Sequence, residues 1–103
     1  GMALAGRAGL REEDLLDVIA LGAIAAPMFA LKGPAMAERK YPTAFPLKHQ
    51  AKDLRLAAAL GGDAGQLLPV CSAALAQFEL AEQRLGLEDA DFSAVLEAAL
   101  REA

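Results

Sequence analysis

The side chains best suited to chemistry lie close together in the middle of the chain. On a helix, Lys48, Lys52 and Arg55 fall at positions i, i+4 and i+7, so these three cations share one face, which we call the cationic ridge. Like charges at this spacing destabilise an isolated helix by about 0.2–0.5 kcal/mol per pair, so a nearby anion would stabilise the segment. His49 and Asp53 form a second i, i+4 pair that is able to hydrogen bond.

Charge alone leaves two interpretations of the cationic ridge open. The ridge can be a solvated helix face on which Asp53 offsets its neighbours, and charge by itself favours this interpretation. Alternatively, the ridge faces an anion. The chain has 10 Lys and Arg against 14 Asp and Glu, and this acidic balance argues against a nucleic acid as the partner.

Other kinds of site receive little support from the sequence. The single cysteine, Cys71, and the single histidine, His49, cannot form a closed zinc site by themselves, and carboxylates would have to supply the other ligands. We therefore expect no metal. Cys71 lies on the apolar side of a predicted helix, which favours a small core residue over a nucleophile. The glycines at 61–65 follow a predicted helix, whereas a dinucleotide-binding loop must follow a strand, so we interpret them as turns.

Length and composition predict a single all-α domain. The chain has 103 residues, which is too short for a dinucleotide-binding sheet plus a substrate domain. Hydrophobic residues make up 55% but aromatic residues only 5%, and the abundance of alanine favours helices packed on helices. No apolar run approaches the length of a membrane span, which is about 18 residues. One cysteine excludes an internal disulfide, and a cytoplasmic location is the default expectation.

Glycine and proline divide the chain into short helical segments, with no strand-like alternation. We predict helices over 2–8, from 12 to about 21, in two pieces between 27 and 37, from 46 to before 61, from 69 to 85, and from about 91 onwards. Gly33-Pro34 is expected to break the third segment, because proline disrupts a helix interior. The strongest amphipathic pattern belongs to the segment after Pro69, with Cys71, Ala74, Leu75, Phe78, Ala81 and Leu85 on one face. The last segment repeats this pattern with Phe92, Val95, Leu96, Ala99 and Leu100.

The run from Ala44 to Ala57, AFPLKHQAKDLRLA, resembles the characteristic segment of the C-terminal helical domain of the β-hydroxyacid dehydrogenases. This family is 3-hydroxyisobutyrate dehydrogenase-like, and its helical domain is of the 6-phosphogluconate dehydrogenase C-terminal type. Glyoxylate/succinic semialdehyde reductases are the most similar subgroup, because further motifs match them in order and spacing. These are Gly22-Ala23, Pro27-Met28-Phe29, Lys32-Gly33-Pro34, Tyr41-Pro42, Leu68-Pro69-Val70 and Asp91-Phe92-Ser93-Ala94-Val95.

The resemblance implies roles for three residues. In the family, an N-terminal Rossmann domain binds NADP or NAD, and the helical domain completes the active site between them. Phe45 matches the aromatic residue that walls the substrate pocket, and Asp53 matches the aspartate that shapes this pocket. Lys52 matches a lysine that points toward the cofactor. Lys48 and His49 share the similarity without an assigned role.

The resemblance also implies what this chain lacks. The Rossmann domain and the proton-donating lysine would precede its first residue, and residues 2–9 resemble only the end of the long helix that carries this lysine. We therefore expect residues 1–103 to be the helical substrate and dimerisation domain, with its first helix truncated and no catalytic residue present. By itself the chain is expected to be inactive and to bind no cofactor.

Two functions follow from these expectations. The first is part of an NAD(P)-dependent oxidoreductase that reduces glyoxylate or succinic semialdehyde to its hydroxy acid, to which the chain supplies one wall of the active site and a dimer interface. The alternative is a stand-alone helical interaction module without catalytic activity. In both cases we expect a homodimer that buries at least about 1,000 Å². Neither a nucleic acid nor a membrane is an expected partner.

Overall fold

The computed structural model describes residues 1–101, and every regular element within them is a helix, which confirms the all-α prediction. The elements are α1 (Met2–Arg7), α2 (Glu12–Leu21), α3 (Pro27–Ala37), α4 (Leu47–Asp63), α5 (Pro69–Leu85), a 3₁₀ helix (Phe92–Val95) and α6 (Leu96–Ala99). No helix in this described part of the chain has both the length and the apolarity that crossing a bilayer requires. The helices form two compact units, which divide after Tyr41.

The first unit contains α1, α2 and α3. Three acidic residues begin α2, where they meet the positive end of the helix dipole. The side chain of Leu16 lies against the buried Gly33 of α3, and a Cβ at Gly33 would lie 2.5 Å from one Leu16 methyl. Close packing of α2 on α3 therefore requires glycine at this position.

The predicted break in α3 is wrong, because the helix is continuous from Pro27 to Ala37 with Pro34 inside it. Proline lacks an N–H group and so removes one helical hydrogen bond, but its carbonyl still accepts one. Pro34 O accepts from Glu38 N at 3.0 Å. The neighbouring residue, Gly33, packs on Leu16 of α2.

The second unit is built on the pairing of α4 with α5. The six predicted inward positions of α5 are all shielded, with Ala81 fully buried and the other five half-buried, so this amphipathic pattern is confirmed. Gly86 ends α5 in the left-handed region, with a φ of 66°. The predicted end of α4 before Gly61 is wrong, because Gly61 is buried under Gln66 and Leu68 and the helix continues to Asp63.

The last predicted helix begins as a 3₁₀ turn. The side chain of Asp91 accepts a hydrogen bond from Ser93 N and so caps this turn, and α6 follows directly. Leu96 is buried as the periodicity indicated. Ala99 is exposed, which corrects its predicted place on the apolar face, because α6 ends there after a single turn.

Candidate functional site

Backbone hydrogen bonds join the loop that carries Phe45 to the segment that leads into the 3₁₀ helix and to its first residue. Phe92 N donates to Phe45 O at 2.9 Å, and Leu47 N donates to Ala90 O at 2.8 Å. These bonds surround an isolated antiparallel bridge. These bonds fix the point at which α4 begins and therefore the positions of the residues in its first turns.

The ring of Phe45 lies between two other rings. Phe92 meets it edge to face, with centroids 6.2 Å apart and an interplanar angle of 73°. His49, in the first turn of α4, lies 5.9 Å away at 49°. Phe45 as a whole is 37% exposed, so a ligand can reach this residue.

Lys52 and Asp53 lie about one turn further along α4 than His49. Lys52 Nζ is 3.2 Å from Asp53 Oδ1, and the two side chains are 57% and 48% exposed. The i, i+4 spacing allowed Asp53 to pair with His49, but its partner is Lys52. The structure thus brings Phe45 and His49 into contact and pairs Lys52 with Asp53 on the following turn.

The other two cations of the ridge have anionic partners within the second unit. Lys48 Nζ lies 2.6 Å from Asp89, and the hydrogen bond between them raises the pKa of Lys48. Arg55 bonds to Glu82 at 2.7 Å and to Glu79 at 3.2 Å, and these hydrogen bonds raise the pKa of Arg55. For these two residues the stabilising anion is part of the chain itself.

Lys52 differs from the other two cations of the ridge. Lys48 and Arg55 are tied to acidic residues 41 and 24–27 positions away in sequence, whereas the ion-pair partner of Lys52 is its immediate neighbour on the same helix. An exposed pair of this kind contributes about 0–1 kcal/mol, so the ammonium can turn toward another anion at small cost. Lys52 is therefore the ridge cation best suited to bind an external anion.

Sequence reasoning named the most buried polar residue of the region, Asp91, but gave it no role. Asp91 is 1% exposed, and its Oδ1 accepts from the backbone N–H groups of Ala44 at 3.0 Å and Phe45 at 3.1 Å. Its Oδ2 accepts from Ser93 N at 3.1 Å and Ser93 Oγ at 2.6 Å. The Asp-x-Ser order is a helix-capping signal that could have predicted the second pair of bonds. Nothing in the spacing indicated the first pair.

The other candidate groups do not assemble into a reactive centre. Within residues 1–101, no three His, Cys, Asp or Glu side chains group as a metal site would require. The thiol of Cys71 is half-buried and lies 3.6 Å from the carbonyl oxygen of Leu54, which agrees with its interpretation as a packed helix residue. Phe45, Lys52 and Asp53 remain the candidate site residues.

Two plant reductases are similar to nearly the whole chain. Glyoxylate/succinic semialdehyde reductase 1 of Arabidopsis thaliana is 53% identical over 98 residues, which cover 95% of this chain and 34% of the reductase. The chloroplastic reductase 2 of the same plant is 49% identical over 95% of this chain and 27% of its own length. The cytokine-like nuclear factor N-PAC of Anopheles gambiae is 42% identical over 91% of this chain and 16% of its own.

A solved structure agrees with these sequence matches. The crystal structure of 3-hydroxyisobutyrate dehydrogenase from Salmonella typhimurium aligns with a TM-score of 0.86 at 31% identity, covering 93% of this chain and 33% of that one. This chain thus spans about a third or less of the length of its relatives. Residues 1–99 match the family described as NAD-binding of NADP-dependent 3-hydroxyisobutyrate dehydrogenase. The chain therefore belongs to the 3-hydroxyisobutyrate dehydrogenase-like family, as its sequence motifs indicated.

Proposed function

We propose that this chain is part of an NAD(P)-dependent oxidoreductase that reduces a small aldehyde acid, glyoxylate or succinic semialdehyde, to its hydroxy acid. The observation that carries this proposal is the 53% and 49% identity to two reductases named for these substrates, each over 95% of the chain. Phe45, Lys52 and Asp53 are the residues through which it would act. Phe45 and Asp53 belong to the substrate pocket, and Lys52 to the cofactor side.

The exposed groups at this site fit one edge of a nicotinamide dinucleotide. The ring of Phe45, a partly exposed residue, can pack against a flat heterocycle, and the exposed ammonium of Lys52 can meet a phosphate. When bound, the nicotinamide supplies the hydride for reduction. Phe45 excludes water from the pocket, and Asp53 orients the ammonium with which it is paired.

Reduction of the aldehyde places negative charge on the substrate oxygen, which then takes up a proton. The family resemblance assigns this proton donation to a lysine in another part of the enzyme. The role of Lys52 is then to position and stabilise anionic groups, since an ammonium does this without giving up its proton. Asp53 acts on the geometry of the pocket and so on the transition state.

The proposal is tested by a chimera in which residues 1–99 replace the matching part of the Arabidopsis thaliana reductase 1. We expect the chimera to oxidise NADPH or NADH when glyoxylate or succinic semialdehyde is added. The 103-residue chain alone should neither bind the cofactor tightly nor reduce these aldehydes. A folded chimera that reduces neither aldehyde would contradict the proposal.

Variants of the chimera test the individual roles. Lys52→Ala should raise the KM for the cofactor by a larger factor than it lowers kcat, whereas Asp53→Ala should lower kcat. Lys40→Ala is the matched control, because Lys40 is an exposed cation in the first unit that pairs with the nearby Glu38. An unchanged cofactor KM in Lys52→Ala would refute the role of that residue.

We propose the interaction module as a second candidate, because two observations favour it. Several relatives are named nuclear factors and not reductases, so the same domain occurs in proteins named for another role. The first unit also exposes many large apolar side chains, as expected for a surface that binds another subunit. These are Leu4, Leu10, Val18, Leu21, Ile24, Met28, Phe29 and Leu31.

The corresponding assembly would be a homodimer of the chain. Light scattering on the purified chain at micromolar concentration measures its mass directly. A dimeric mass is the expected result for both functions, and a monomeric mass would contradict the proposed homodimer. The two functions are separated by the chimera, since an interaction module predicts a folded protein without reductase activity.

A further inference from the structure

A buried carboxylate joins the loop before α4 to the start of the 3₁₀ helix. Asp91 is 1% exposed, and a charge at such a depth is costly unless it is hydrogen-bonded. Its two oxygens accept hydrogen bonds from different segments of the chain. Oδ2 caps the 3₁₀ helix through Ser93, while Oδ1 accepts the backbone N–H groups of Ala44 and Phe45.

The bonds to Oδ1 are important because Ala44 and Phe45 precede α4, which begins at Leu47. The N–H groups of these two residues lie outside the helical hydrogen-bond ladder, and the carboxylate is their acceptor. Phe92, the residue after Asp91, donates its own N–H to Phe45 O and packs its ring on the Phe45 ring. Asp91 thus fixes the backbone of Phe45 next to the residue that supports its ring.

We propose that Asp91 is a positioning residue that sets the Phe45 ring at the substrate pocket. The link to the pocket rests on the proposed function, whereas the link from Asp91 to Phe45 rests on the hydrogen bonds. Hydrogen bonds to charged groups are about twice as strong as neutral ones, so one oxygen can hold two loop amides in place. Asp91 acts through Phe45 and does not itself touch the substrate.

A purely structural role for Asp91 would be the capping of the 3₁₀ helix. Ser93→Ala weakens the cap alone, because it removes the 2.6 Å bond from Ser93 Oγ to Oδ2 and leaves the Ser93 N bond to Oδ2 and both bonds to Oδ1. Asp91→Ala removes every hydrogen bond that the carboxylate accepts from Ala44, Phe45 and Ser93. Asp91→Asn is the conservative variant for the Phe45 loop, since its amide oxygen can accept from Ala44 and Phe45. Its NH₂ can donate to Ser93 Oγ but cannot accept from Ser93 N, so this variant loses the backbone cap bond.

The test is solution NMR on the 103-residue chain. Asp91→Ala should abolish the cross-peaks between the Phe45 and Phe92 rings while those between α4 and α5 persist. The cross-peaks should survive in Ser93→Ala and return in Asp91→Asn. Full cross-peaks in Asp91→Ala, or their equal loss in Ser93→Ala, would overturn the proposal.

Amide hydrogen exchange provides a second measurement if Asp91→Ala fails to fold. The Phe45 N–H should be protected in the unmodified chain and in Ser93→Ala, since its bond to Oδ1 is present in both. In a folded Asp91→Ala its exchange should accelerate about ten- to a hundredfold, from the loss of a bond to a charged acceptor. Rapid exchange of the Phe45 N–H in the unmodified chain would overturn the proposal whatever the variants do.

The failure of this inference and that of the proposed function are distinguishable. Phe45→Ala in the reductase chimera tests whether Phe45 contributes to the pocket. Asp91→Ala in the same chimera tests whether Asp91 acts through Phe45, and it should raise the KM for the aldehyde in the same way. A change in Phe45→Ala alone would reject the role of Asp91, and an active chimera in which neither variant changes the KM would reject the role of Phe45 in the pocket.

Discussion

The two units of the chain differ in how much of their apolar surface they bury. The second unit encloses a core of small and medium side chains, consisting of Leu47, Ala51, Ala81, Ala94, Leu96 and Ala98. In the first unit, the described residues classed as buried are Ala5 and Gly33. The candidate site residues Phe45, Lys52 and Asp53 all belong to the better packed unit.

This difference indicates which unit can hold a site in place by itself. In the second unit, the entry to α4 is fixed by backbone bonds and by a buried carboxylate. In the first unit, the contact of Leu16 with Gly33 joins α2 to α3, and the ion pair of Arg39 with Glu12 at 2.6 Å joins α2 to the residues after α3. The first unit also exposes large apolar side chains along α2 and α3.

The largest expected effect is at the centre of the second unit. Leu47 is fully buried, so Leu47→Ala should lower the free energy of unfolding by about 2–5 kcal/mol through lost burial and a cavity. Leu60→Ala on the same helix is the control, because Leu60 is 69% exposed and should cost less than about 0.5 kcal/mol. Urea unfolding followed by circular dichroism measures both. Equal losses would mean that the second unit has no core of its own.

A smaller effect is expected at adjacent glycines of α4. A Cβ at Gly61 would lie 2.8 Å from the backbone oxygen of Gln66, so Gly61→Ala should cost about 1–3 kcal/mol by overpacking. Gly62 has no atom within 4 Å of such a Cβ, and Gly62→Ala should stabilise the helix by about 0.5–1 kcal/mol. The midpoint of thermal unfolding should therefore fall in Gly61→Ala and rise in Gly62→Ala. A stabilising Gly61→Ala would show that the turn after α4 is loosely packed.

The fold could be predicted from the sequence where one helix face decides the outcome. The inward face of α5 follows from spacing alone, because its apolar residues repeat with the helical period. The end of α4 and the continuity of α3 could not be predicted in this way. Gly61 is helical because Leu68 covers it, and α3 tolerates Pro34 while Gly33 packs on Leu16, so both depend on tertiary contacts.

The candidate site was only partly accessible to sequence reasoning. Phe45, Lys52 and Asp53 were named through the family resemblance, and their roles remain predictions. Helical spacing placed the three cations of the ridge on one face but could not identify Asp89 as the partner of Lys48, 41 positions away. Asp91 was named in a family motif without a role, because its bonds to the Phe45 loop join segments about 46 residues apart and no local pattern encodes such a contact.

A pH-dependent effect of moderate size is expected in the first unit. Hydrogen bonds from Arg39 hold the pKa of Glu12 below its ordinary value of 4.5. The ionised Glu12 therefore stabilises the folded state fully above pH 4.5, and this contribution is lost as the pH falls through the lower pKa of the folded state. Glu12→Gln should cost about 0.5–1 kcal/mol at neutral pH, with the difference from the unmodified chain vanishing in acid.

Unfolding curves at a series of pH values measure this effect. Glu13→Gln is the matched control, because Glu13 lies 4.0 Å from Arg11 and both side chains are more than half exposed. It should change stability little at any pH. A cost of Glu12→Gln that persists unchanged in strong acid would show that the carboxylate charge is not what links α2 to the end of α3.

The smallest expected change in stability comes from replacing exposed leucines. Such replacements test whether the two units differ in their contribution to dimerisation. Leu21 in the first unit is 89% exposed and Leu67 in the second is 86% exposed, so replacing either by serine should change stability by less than about 0.5 kcal/mol. If the apolar side chains of the first unit bind a second copy, Leu21→Ser should weaken dimerisation and Leu67→Ser should not. Light scattering across a dilution series measures this difference. Equal weakening by both variants would contradict the proposal that the first unit supplies the dimer surface.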